Sequence, residues 1–121
     1  MKPMENEFIP YEQALALKEL GFDEPCLGYY NIDPQLKTPA FNMVKPFEHE
    51  WCLPAPLYQQ AFRWFREKYK LDNWVYCSDE NKGYFAIIVS HRKLVIYNEI
   101  KNTYEEAELA CLKKLIEIVK Q

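Results

Sequence analysis

The sequence predicts an α+β fold, a three-stranded antiparallel meander, with room for a fourth strand, carrying two helices on one face. Three observations predict it. The runs Tyr84 to Val89 and Leu94 to Tyr97 are rich in β-branched and aromatic residues and are separated by the polar turn Ser90, His91, Arg92, Lys93. The segment from Thr103 onward has a helix cap, with Glu106 three residues on, followed by an amphipathic repeat. Upstream, Tyr58, Ala61, Phe62, Phe65 and Tyr69 recur at helical spacing. The expected order is helix, irregular segment, helix, three strands, helix.

Taken in chain order, Pro10 suits the first position of a short helix over Tyr11 to Leu20, since its missing N–H is not needed there. Gly21 then supplies a left-handed stop, and the ring of Phe22 is expected to fold back on Leu17. From Asp23 to Pro56 six prolines interrupt any helix, while Tyr29, Tyr30, Phe41, Phe47 and Trp51 make the segment too apolar for a free linker. A strand near Leu27 to Asn31 fits, and the rest reads as a long irregular connection, the natural place to look for a binding surface. Pro56 starts the second helix, Leu57 to Lys70, with Arg63, Arg66 and Lys70 on its outer side. Strands over Trp74 to Ser78, Tyr84 to Ser90 and Lys93 to Asn98 follow, the first two joined through a polar turn ending in Gly83. In the last helix Glu105, Glu106 and Glu108 complement the positive start, and Tyr104, Ala107, Cys111, Leu115, Ile118 and Val119 form the expected core stripe.

A length of 121 residues, 49% hydrophobic and 27% charged, fits one globular domain over 1–121, with 1–56 as a helix plus proline- and aromatic-rich segment and 57–121 as an αβββα core. The 18 acidic and 15 basic side chains, net −3, are spread along the chain and create no field to hold nucleic acid or an anionic membrane. No stretch is apolar enough to span a bilayer, and Met1 to Glu7 does not read as an export signal, so a soluble, cytoplasmic protein is expected. Cys26, Cys52, Cys77 and Cys111 lack the close pairs of a zinc site and read as reduced, mostly buried thiols. No metal and no cofactor is expected.

The middle run, Tyr84 to Val89, is apolar at consecutive positions, and consecutive side chains point to opposite faces of a sheet. Both faces therefore need cover. Helices two and three can shield one. The other falls to the proline-rich segment with helix one, to a second copy in a homodimer, or to another protein.

The densest polar cluster is Glu48, His49, Glu50 and Cys52, in which His49 could serve as base and Cys52 as nucleophile of a small hydrolase or transferase. Sequence neighbours seldom reach that geometry, and the favoured reading is a loop with solvated carboxylates; His91 reads as an exposed turn residue. Asp33 could join Glu48 and Glu50 at a cation, but Asp before Pro34 is an ordinary turn former. Arg63, Trp64, Arg66, Lys68, Tyr69 and Lys70 mix cations with rings, as weak single-stranded nucleic-acid or phosphate binders do. The order of elements from Leu57 is also that of double-stranded RNA-binding domains, yet Glu105 and Glu106 would repel phosphates where those domains present lysines. Nucleic acid is disfavoured.

The segments LKELGFDEPC (Leu17 to Cys26), APLYQQAFRWFREKY (Ala55 to Tyr69) and TYEEAELACLKKLIEIV (Thr103 to Val119) together resemble a family of small uncharacterised proteins from human-gut anaerobes and their prophages. That resemblance implies a phage or mobile-element context and a cytoplasmic setting, and it assigns no site residue. The leading reading is a non-enzymatic protein-binding or accessory module using Tyr29, Tyr30, Trp51 and helix two, with Arg63, Trp64 and Arg66, against a protein partner or itself.

Overall fold

The structure, a computed structural model, describes residues 4–38, 53–78, 83–90 and 94–120; for 94–99 it describes the backbone path. It is mixed α+β, with three helices and two three-stranded antiparallel sheets. The chain divides into two compact units, Met1–Gln60 and Ala61–Gln121.

In the first unit a 3-10 turn, Met4–Glu7, precedes helix α1, Tyr11–Glu19. Pro10 is its N-cap rather than its first helical residue, with extended backbone (φ −65°, ψ 161°). The stop is as expected. Gly21 takes φ 98°, its N–H donates to the Lys18 carbonyl (3.0 Å), and the Phe22 N–H donates to the Leu17 carbonyl (2.9 Å). Those two bonds satisfy carbonyls that a helix end otherwise leaves open, and both Phe22 and Leu17 are buried.

Strand β1, Gly28–Tyr30, lies within the stretch read as a strand. It pairs on one side with β2, Leu36–Lys37, and on the other with β3, Leu53–Ala55, neither of which is apparent in the sequence. The sheet order β2-β1-β3 leaves β3 at an edge, where Pro54 removes no ladder bond that the sheet needs. Asn31 forms the β1–β2 turn: its Oδ1 accepts from the N–H groups of Asp33 (3.1 Å) and Gln35 (2.7 Å), and its own N–H donates to the Gln35 carbonyl (3.1 Å). Phe8 bridges Leu57, the Ile9 N–H donates to the Pro56 carbonyl (3.0 Å), and the buried Phe8 ring lies so close to Gly28 that a Cβ there would be 2.8 Å from it.

Helix α2, Tyr58–Tyr69, is close to expectation. Tyr58, Ala61, Phe62 and Phe65 are buried as read; Trp64 joins them, and Tyr69 is only half-buried. The helix stops at Lys70, which takes φ 57°, and the chain passes directly into strand β4, Leu71–Cys77.

The second unit contains the predicted meander. β4, β5 (Tyr84–Ser90) and β6 (Leu94–Lys101) form one antiparallel sheet in sequence order, each outer strand longer than expected. The Ser78 N–H donates to the Gly83 carbonyl (2.7 Å), closing the first turn, and Gly83 takes φ 131°. Only glycine fits there, because a Cβ would run into the carbonyl of Lys101 beside the register shift between Tyr84 and Ala86.

Helix α3, Tyr104–Lys120, packs on β5, β4 and β6. Thr103 caps it: the Glu106 N–H donates to Thr103 Oγ1 (3.1 Å), and the Thr103 hydroxyl donates to Glu106 Oε1 (3.0 Å). The core stripe is rotated from expectation. Ala107, Ala110, Cys111, Leu112, Leu115 and Ile116 are buried, whereas Tyr104 is exposed and Ile118 and Val119 are half-buried, because the helix meets the sheet with its middle turns. On the sheet's α3 side Leu71, Asn73, Ala86 and Ile88 are buried. Asn73 is satisfied there, its Nδ2 donating to the carbonyls of Leu71 (3.2 Å) and Phe62 (3.4 Å), which brings α2 to the same side as α3.

Candidate docking surface

Alternation along a strand sends odd and even positions to opposite faces, so burial of Leu71, Asn73, Ala86 and Ile88 fixes what the reverse face presents. It carries Asp72, Trp74 and Tyr76 from β4, opposite Val89, Ile87 and Phe85 from β5. Trp74 and Tyr76 are each 45% exposed; Phe85, Ile87 and Val89 are half-buried. Tyr76 and Phe85 stack across the strands, ring centroids 5.8 Å apart. The sequence carries this signal in the ring alternation at Trp74 and Tyr76.

Of the six surface residues read from sequence, Tyr29 and Tyr30 are half-buried in β1. The Tyr30 hydroxyl donates to the Ile9 carbonyl (2.7 Å), its ring meets Tyr11 edge-on at 5.6 Å, and burial raises its pKa; these are structural contacts. Trp64 does not belong to an accessible surface. It is 5% exposed, edge-on to Phe65 and Tyr69, with the Lys68 ammonium 5.1 Å from its ring centre. Arg63 is exposed and its Nε lies 3.7 Å from Glu67 Oε1; Arg66 is half-buried. Sharing α2 does not put Trp64 beside these cations in solvent, and the half-buried Tyr69 ring is already in contact with Trp64 and the Lys68 ammonium. Trp51, His49 and Cys52 lie outside the described residues, as do Glu48, Glu50 and His91.

Two of the described cysteines are core residues. The Cys26 thiol is pushed up to about 12 by burial and then by the Glu24 charge, and its Sγ donates to the Glu24 carbonyl (3.4 Å). Cys111 is pushed up to about 12 by burial and then by Glu108. A thiol held protonated is a poor nucleophile, so neither is activated. Cys77, by contrast with the expectation of burial, is exposed near the end of β4. Among the described residues no three His, Cys, Asp or Glu side chains gather as metal ligands.

A cleft of about 410 Å³ runs along α3, lined by Lys101, Glu106, Leu109, Ala110, Lys113 and the Lys114–Glu117 pair (3.3 Å). Its three lysines are set among two glutamates, and Lys114 is paired with Glu117, so little net field is left for an ionic ligand. No described helix is long and apolar enough to cross a membrane. Comparisons with protein-family models, curated proteins and solved structures find no match for the chain.

Proposed function

We propose that the chain is a non-enzymatic protein-binding module whose contact surface is the face of the meander turned away from α3. The observation that carries this reading is the group of Trp74, Tyr76, Phe85, Ile87 and Val89 on one side of two neighbouring strands, with the two largest rings 45% exposed. Scattered exposed rings are ordinary, but a contiguous apolar group on a rigid sheet is characteristic of an interaction site. Aromatic anchors also supply most of the energy where proteins meet, because they bury much area at little entropic cost. A cytoplasmic, mobile-element setting belongs to the same proposal and rests on the resemblance described above.

The test is photocrosslinking in cells from a benzoylphenylalanine placed at Tyr76, compared with one at Lys113 on the solvent side of α3. The expected result is a discrete adduct from position 76 that disappears on Ile87→Asp while circular dichroism is unchanged. Equal adducts from both positions would overturn the proposal.

A further inference from the structure

We infer that the occupant of this face is an amphipathic helical segment of another protein that carries a Lys or Arg beside its apolar stripe, with Asp72 receiving the cation. The inference rests on the docking reading above and adds the partner's chemistry. Asp72 sits on the same face as Trp74 and Tyr76, half-buried, opposite Val89 in the register. It is the one formal charge of that face on β4 and β5, and it has no ion-pair or hydrogen-bond partner among the described residues. A carboxylate at the end of an apolar surface loses solvent when that surface is covered, and it stays ionised at small cost only if the covering group brings an opposite charge.

The same argument disfavours a second copy of the chain. Two such faces brought together would bury two carboxylates, and β4 and β5 contribute no cation to meet them. Dimensions fit a helix. Three strands about 4.8 Å apart make a platform roughly as wide as a helix with its side chains, about 10–12 Å. Along β4, Asp72 and Trp74 are two residues and therefore roughly 6.8 Å apart, close to the ~6 Å rise between helix positions i and i+4. An apolar side chain seated over Trp74 thus places the residue one turn away over Asp72.

The probes are two labelled helical peptides of roughly 16 residues. Both carry one Leu/Ala stripe; one is flanked by Lys and the other by Glu, and binding to the full chain is followed by fluorescence anisotropy. Expected is a preference for the Lys peptide on the order of fivefold to tenfold. It should be lost in Asp72→Asn, reversed in Asp72→Lys, and retained in Glu117→Lys, with both peptides weakened by Trp74→Ala. Equal binding of the two peptides that is still lost in Trp74→Ala would overturn the inference while leaving the docking reading intact. No binding of either peptide, a preference shifted as much by Glu117→Lys as by Asp72→Lys, or a dimer broken by Trp74→Ala would each overturn it.

Discussion

Tyr76 and Phe85 face each other directly across β4 and β5, their planes 29° from parallel, on the side of the sheet that α3 does not cover. A cross-strand aromatic pair of this kind contributes roughly 0.2–1 kcal/mol. Trp74 beside it is half in water already, so Trp74→Ser should lower stability by less than about 1 kcal/mol. Ile88→Ala, on the buried side, should cost about 2–5 kcal/mol. Urea midpoints of the two variants compare the faces directly, and equal losses would mean that the Trp74 side is covered in the isolated chain.

Gly83 is the most constrained turn position in the meander. At φ 131° an alanine is strained, and its Cβ would displace the Lys101 carbonyl from the β5–β6 ladder. Gly83→Ala is expected to lose at least about 2 kcal/mol. Hydrogen exchange should show the loss concentrated in the amides of Tyr84 to Ala86 and their β6 partners.

Lys70 ends α2 in the left-handed region, where a side chain costs roughly 1–2 kcal/mol. Lys70→Gly removes that cost and adds chain entropy to the unfolded state, so stability should stay level or rise by up to about 1 kcal/mol. Lys70→Val should fall by a similar amount. Thermal midpoints with the opposite ranking would remove the assignment of Lys70 as the helix stop.

The buried thiols make stability depend on alkaline pH. Cys26 and Cys111 hold their protons to about 12 when folded, against an ordinary value of 9.0. Below 9.0 both states are protonated and the thiols add no pH dependence. As pH rises above that value the unfolded chain releases protons that the native state keeps, so stability falls until about 12, by up to about 1.4 kcal/mol per pH unit for each thiol. Unfolding free energies between those limits should decline less steeply in a Cys26→Ala, Cys111→Ala double variant. An unchanged slope would contradict burial of the thiols. Under native conditions Cys77 should alkylate well before either.

The sequence by itself determined the helices and the meander, because their signals are local. The Gly21 stop, the Thr103 cap, the helical repeat of α2 and the β-branched runs of β5 and β6 each lie within a few turns or one hairpin of chain. The N-terminal sheet was beyond such reasoning. Its strands span two or three residues, too short for a period, one contains Pro54, and Gly28 meets Ala55 only because the chain between them returns.

Tertiary structure also chose between the tryptophans. By composition Trp64, among Arg63 and Arg66, reads as the exposed ring and Trp74 as one more strand residue, yet Trp64 is buried and Trp74 is open. Spacing states which side chains share a face, but which face is covered depends on where α3 lands, and that is settled by the packing of Ala107, Cys111 and Leu115 against the side of the sheet bearing Ala86 and Ile88.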